Sequence, residues 1–161
     1  MGTRPRLEGW SSGRRRPGFT LIEVLLVVIL AGVLSAIALP AYNRMVMKGR
    51  RADAMSALAA VQQAQERLRS NQSTYASTLS DLGLGGTSER GHYQLSLNGL
   101  GAPGEETYTK GYVVTAQPAS GSPQANDHAC AVLSIKQEAS RLSYSAKRSD
   151  GSDSSQECWP Q

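Results

Sequence analysis

The sequence has few residues of the types that usually carry out catalysis. Its 161 residues include two histidines, two cysteines and one phenylalanine. No Ser/His/Asp or Cys/His constellation and no phosphate-binding loop is recognisable, so we predict that the chain is not an enzyme and holds no cofactor. The segment Asp127–Cys130 contains His128 and Cys130, two residue types that can bind a metal. We interpret it instead as the start of a strand, because a zinc site needs about four ligands. Calcium binding by Asp150, Asp153 and Glu157 is an alternative to a solvated loop there.

The chain also lacks net charge outside its first 18 residues. The formal net charge of +4 is carried entirely by residues 1–18, which hold five arginines and one glutamate; the rest has 12 basic and 12 acidic side chains. Nonspecific DNA binding depends on phosphate neutralisation, so charge does not indicate general DNA affinity. A polyanion site would need a local patch of basic residues, and the candidates are Arg44, Lys48, Arg50 and Arg51.

The sequence contains one long apolar run, from Phe19 to Leu39, and its only charge is Glu23. As a helix these residues rise about 31 Å, enough to cross a bilayer. The preceding arginines indicate that the remainder lies outside the cytoplasm. A carboxylate costs roughly 2.5–3.5 kcal/mol at mid-membrane and less near an end, so Glu23 calls for a functional explanation.

Two other interpretations of this run are weaker. A conventional secretory signal would be shorter and uncharged, and a cut after Ala38 would leave Pro40 two residues downstream. A permanent anchor without processing is the second alternative. Gly32 and Pro40 weaken a helix, and we expect a kink or soft joint at Pro40.

Beyond Pro40 the pattern predicts an amphipathic helix from Ala41 to about Asn71, followed by a loop and four strands. The predicted core stripe of the helix comprises Tyr42, Met45, Val46, Gly49, Ala52, Met55, Ala59 and Leu68, with Val61 at its margin. The predicted strands are His92–Leu97, Gly111–Gln117, Ala129–Gln137 and Arg141–Lys147. The fold class is therefore α+β, with a long helix packed on a roughly four-stranded antiparallel sheet.

Cys130 and Cys158 lie in the part predicted to be outside the cytoplasm, where disulfides persist. Their pairing would close a loop of about 29 residues and contribute ~3.5 kcal/mol in the chain-entropy model. Two free thiols or intermolecular bonds are the alternatives.

The motif Gly18-Phe19-Thr20-Leu21-Ile22-Glu23, after a basic leader, resembles the class III signal peptide of type IV pilins and pseudopilins. The likeness continues through residues 37–42, 65–68 and 75–83 and includes the Cys158-Trp159 ending. Among pilins, the short chain and its cysteine pair most resemble a minor pilin of the PilE kind in a type IVa system. The leader is longer than is usual for that subclass.

The resemblance implies that a prepilin peptidase cuts between Gly18 and Phe19 and methylates the new Phe19 amine. Glu23 would neutralise the Phe19 amine of a neighbouring subunit during filament assembly, and the Gly32 to Pro40 stretch would loosen. The implied segments are a cleaved leader (1–18), a transmembrane and filament-core helix (19–40) and a globular head (41–161).

The implied function is that of a minor structural subunit of a type IV pilus, in adhesion, twitching motility or DNA uptake. Its partners would be major and minor pilins, the prepilin peptidase and the inner-membrane assembly platform. The precursor would lie in the inner membrane with its head in the periplasm, and the mature subunit in the surface pilus. The alternatives are a head that binds DNA or a surface, and a type II secretion pseudopilin.

Overall fold

The structure, a computed structural model, describes residues 18–102 and 104–160. The predicted leader lies outside the described residues, except for Gly18. The chain divides into two compact units, with the boundary between Ala41 and Tyr42. We call the second unit, residues 42–161, the head.

Of the first unit, the structure describes residues 18–20 and the amino-terminal part of helix α1, which spans Leu21–Arg69. Its side chains up to Ala41 are all exposed, and the apolar stretch is long enough to cross a membrane by length and composition. The helix is continuous through Gly32 and Pro40. The joint expected at these two residues stays a prediction.

Four strands among the described residues of the head form an antiparallel sheet in the order β1-β2-β3-β4. The strands are β1 (Tyr93–Leu100), β2 (Thr107–Pro118), β3 (Val132–Glu138) and β4 (Arg141–Lys147). The predicted fold class, a long helix with a four-stranded antiparallel sheet, is confirmed. The predicted start of the third strand at Ala129 is wrong, because residues 128–130 form a short 3-10 turn before the strand begins.

The helix buries a different face from the one that hydrophobicity predicts. Its fully buried apolar residues are Ala54, Leu58 and Val61, whereas Tyr42 and Met45 of the predicted stripe are exposed. Of that stripe only Val61 is buried. The reason is that the true core face also carries Asp53 and Gln65, so its apolar periodicity is interrupted.

Both of these buried polar residues fasten loops to the helix. The Gln65 amide donates to the carbonyl of Ala76 (3.0 Å) and accepts from the Ala76 N–H (2.8 Å). Asp53 accepts from the Ser88 hydroxyl (2.6 Å) and from the Arg90 N–H (3.2 Å). Buried polar groups are tolerated when they are hydrogen-bonded, so these contacts explain how polar side chains occupy the core face.

A disulfide holds the carboxyl-terminal segment to the 3-10 turn that precedes β3. A short helix α2 (Ser155–Cys158) ends at Cys158, which is bonded to Cys130 with the Cα atoms 5.9 Å apart. Both cysteines are buried. The predicted intramolecular pairing is confirmed.

Candidate functional site

The amino-terminal motif begins helix α1. Gly18 and Phe19 lie before the helix and are exposed, with 83% of Phe19 accessible. The Thr20 hydroxyl accepts a hydrogen bond from the Glu23 N–H at 3.3 Å. Thr20 and Glu23 therefore have the spacing of a capping box, in which the residue three positions after the cap is acidic or an amide. The sequence contains this signal, and the prediction of a helix from Phe19 overlooked it.

Glu23 is displayed on an apolar helix surface. It lines a shallow hollow of about 220 Å³ together with Phe19, Val24, Val27 and Val28. Phe19 and Glu23 lie near each other, because both line this hollow. When such a surface is removed from water, in a membrane or a helix bundle, a cation that pairs with the carboxylate offsets its desolvation cost.

A second candidate site lies in the head, along helix α1. We call it the α1 groove, and it consists of two adjoining hollows of about 430 and 380 Å³ that share Lys48, Arg51 and Glu157. One end is basic, with Arg44 and Lys48 on the helix and His128 on the opposite wall. The other end is apolar, with Met55, Trp159 and Pro160.

The structure separates the members of the predicted basic patch. Arg44 and Lys48, one helical turn apart, both line the α1 groove, whereas Arg50 lines a different hollow of about 500 Å³ beside Pro123. Arg51 is not free to bind a polyanion. Its Nε and Nη2 donate to the two carboxylate oxygens of Asp127 at 2.7 and 2.8 Å.

This ion pair is largely buried, with 12% of the Arg51 side chain and 3% of the Asp127 side chain accessible. The hydrogen bond to Asp127 raises the pKa of Arg51 above its ordinary value, and burial opposes this only in part. Arg51 therefore remains a cation whose charge is used inside the protein.

Gln124 joins the same network. It is fully buried, and its Nε2 donates to Asp127 (2.8 Å) and to the Met47 carbonyl (3.1 Å). Ser122 caps the turn that carries it, accepting from the Gln124 N–H. Sequence reasoning missed both Gln124 and Asp127, since their partners are 76 and 77 residues away in the chain. The network fixes residues 122–127 against helix α1.

The three acidic residues considered for calcium make other contacts. Asp150 accepts from the Ser152 hydroxyl and N–H, which lowers the pKa of Asp150. Asp153 accepts from Ser155, and Glu157 pairs with Arg148 at 2.7 Å. Within residues 18–102 and 104–160, no group of three or more His, Cys, Asp or Glu side chains could hold a metal ion.

Comparison with protein families gives two matches. Residues 40–134 match the family described as type IV minor pilin ComP, DNA uptake sequence receptor. Residues 13–39 match the prokaryotic N-terminal methylation motif. The first match covers more than half of the chain. The chain belongs to this family of type IV minor pilins. The predicted resemblance to a type IV minor pilin is thereby confirmed.

Curated relatives of this pilin are matched over shorter stretches. Over 78 residues it is 33% identical to the type IV major pilin protein PilA of Myxococcus xanthus, covering 48% of this chain and 34% of that protein. Over 39 residues it is 46% identical to the type IV major fimbrial protein FimA of Dichelobacter nodosus, covering 24% of each chain. This pilin thus spans about a third or a quarter of the length of these relatives.

Membership of this family bears on the partners and on the cellular location of the chain. Other pilins and a pilus assembly system are the partners that membership of this family implies. Its apolar helix and methylation motif fit a membrane-anchored subunit that becomes part of a surface pilus.

Proposed function

We propose that this chain is a minor pilus subunit that is cleaved between Gly18 and Phe19 by a prepilin peptidase and then methylated at Phe19. Residues 13–39 match the N-terminal methylation motif, and the exposed Gly18-Phe19 bond lies outside the helix, where a protease can reach it. The segments follow as leader (1–18), membrane and filament-core helix (19–40) and globular region (41–161); the head, residues 42–161, begins one residue into this region. The precursor would reside in the inner membrane, with a periplasmic head, and engage the assembly platform there.

Glu23 is the proposed assembly residue. Its carboxylate lies on an apolar surface beside Phe19, and the methylated amine of a neighbouring subunit supplies the cation that this surface lacks. Glu23→Gln keeps the size and polarity of the side chain but removes its charge. We expect this variant to reach the membrane and to be depleted from sheared pili, and wild-type incorporation would contradict the role.

Cleavage is tested separately by mass spectrometry of the mature amino terminus. A methylated Phe19 is the expected result. Gly18→Glu should leave the precursor at full length, and a processed band of normal size in this variant would overturn the assignment of the cleavage site.

We further propose that the head binds DNA during uptake. The observation that carries this is the family match, whose description names a DNA uptake sequence receptor and whose residues 40–134 include Arg44, Lys48 and His128 of the α1 groove. Arg44 and Lys48 lie about 6 Å apart along the helix axis, at 1.5 Å per residue. Two adjacent cations on a groove wall suit contact with a phosphate backbone.

The test is a gel-shift titration of the head, residues 42–161, with duplex DNA at several salt concentrations. The buried core lies between Asp53 and Cys158, so this fragment retains all of it. Replacing Arg44 and Lys48 together by Gln should weaken binding and reduce the salt slope by about 2, since each phosphate contact contributes ~0.9.

The matched control replaces Lys110 and Arg141 by Gln. These two exposed cations lie at the opposite end of the strands, near the β2–β3 and β3–β4 pairing at Gly111 and Glu138. We expect this double variant to bind as the unmodified head does. Absence of any shift at low salt would overturn the DNA-binding function, and an equal loss in both double variants would overturn the assignment to the α1 groove.

A further inference from the structure

The apolar end of the α1 groove presents an aromatic side chain in a fixed position. The Trp159 Nε1 donates to the Ser145 carbonyl at 2.9 Å, and its backbone N–H donates to Ser155 at 3.1 Å. The Tyr144 ring packs on the indole with the centroids 4.9 Å apart. Because hydrogen bonds and a neighbouring ring hold the indole, it loses little conformational freedom when a ligand stacks against it.

The groove thus has cations at one end and an immobilised aromatic ring at the other. Lys48 lines both hollows and joins the two ends. Glu157 also lines both, but its carboxylate is paired with Arg148 at 2.7 Å, which offsets its charge locally. A basic channel with aromatic side chains is the arrangement by which proteins bind single-stranded nucleic acid, because unpaired bases stack on the rings while cations contact the backbone.

We propose that the α1 groove binds single-stranded DNA, with backbone phosphates on Arg44 and Lys48 and a base stacked on Trp159. The inference rests on the proposed DNA-binding function and adds a preference of this site for an unpaired strand. In a duplex the bases are already stacked on each other, so only the phosphates are available to the groove. Trp159 then contributes to binding of single strands alone.

The sequence provides a direct reporter for this contact. The chain has two tryptophans, Trp10 and Trp159, so Trp10→Phe leaves Trp159 as the sole source of tryptophan emission. The full-length Trp10→Phe chain, in a neutral detergent, is titrated with oligo(dT), with a duplex of equal length and with inorganic polyphosphate. We expect oligo(dT) to quench the emission, and the duplex and polyphosphate to leave it nearly unchanged at the same phosphate concentration.

Affinity is then measured by the anisotropy of labelled DNA. Trp159→Leu should weaken oligo(dT) binding by roughly 5- to 140-fold, the range expected for losing one stacked base, and leave duplex binding nearly unchanged. Trp159→Phe retains a ring and should restore most of the affinity for oligo(dT). The quenching experiment leaves the groove unaltered, so it stays decisive if Trp159→Leu folds poorly.

The outcomes separate the two proposals. Equal quenching by polyphosphate, or an equal loss of single-strand and duplex binding in Trp159→Leu, would overturn base stacking. Binding of both DNA forms without any dependence on Trp159 would overturn this inference and leave the DNA-binding function intact. Failure of the unmodified chain to bind either form would overturn the DNA-binding function itself.

Discussion

Removing one partner of the Arg51–Asp127 ion pair should destabilise the head by about 3–5 kcal/mol, the range for a broken buried pair. Arg51→Met leaves the Asp127 carboxylate, which is 3% accessible, without the two guanidinium hydrogen bonds; among the described residues Gln124 alone still donates to it. A buried charge left without its counter-ion carries most of its desolvation penalty uncompensated. Asp127→Leu likewise leaves the largely buried Arg51 guanidinium without its counter-ion.

The double variant Arg51→Met/Asp127→Leu removes both charges together. It should lose less stability than either single variant, because an apolar pair of similar size replaces a buried ion pair at little cost. Gln124 then lacks one acceptor but keeps the Met47 carbonyl, so we expect a residual loss of roughly 1 kcal/mol.

The assay is urea unfolding of the oxidised head, with the free energy of unfolding compared across the double-mutant cycle. Arg148→Ala is the control, because its pair with Glu157 has the same N–O distance of 2.7 Å but side chains that are 40% and 51% accessible. An exposed pair contributes ~0–1 kcal/mol. Additive losses in the double variant, or equal losses in Arg51→Met and Arg148→Ala, would refute the reasoning.

Three further perturbations test other parts of the head. Replacing both Cys130 and Cys158 by Ala should lower the free energy of unfolding by about 3.5 kcal/mol through loop entropy, and an unchanged urea midpoint would contradict this. Gly111→Ala should destabilise the head strongly, since a Cβ there would meet the Gln137 carbonyl. Gly49→Ala, at an exposed position of the helix, should instead stabilise it by roughly 0.5–1 kcal/mol. Thermal melting should show a lower melting temperature for the first variant and a higher one for the second. Burial raises the pKa of Tyr93 to about 12 from 10.0. The stability that this pKa difference contributes is therefore complete below pH 10 and is lost as the pH rises through 12. Tyr93→Phe should flatten that part of the pH–stability curve.

The sequence allowed the fold to be predicted at the level of elements. Period-two alternation located four strands, and the predicted Arg141–Lys147 coincides with β4. The face of the helix could not be predicted, because Asp53 and Gln65 occupy core positions. Their burial depends on Ser88, Arg90 and Ala76, whose positions are known only once the chain has folded.

The same limit explains the error at the basic patch. Three basic residues have helical spacing and cannot be told apart by their charge, namely Arg44, Lys48 and Arg51. The charge pattern therefore grouped Arg51 with the residues that could bind a polyanion. Its partner Asp127 appeared in the sequence only as a neighbour of His128 and Cys130. The amino-terminal motif could be predicted because its residues are consecutive in the chain, although the hydrogen bond between Thr20 and Glu23 within it was overlooked.

The α1 groove is rigid because the segment that carries His128 is held at two points. The segment carrying His128 lies between two long-range ties: Asp127 is bound to Arg51 on helix α1, and Cys130 is bonded to Cys158 of the carboxyl-terminal segment. The same carboxyl-terminal segment presents Trp159 one residue after that cysteine. The ion pair and the disulfide therefore hold the two segments that carry His128 and Trp159. A site held in this way binds with little ordering cost. Reducing the disulfide should therefore weaken single-strand binding even under conditions where the head stays folded, and affinity that is unchanged in the reduced, folded head would show that the groove needs no such fastening.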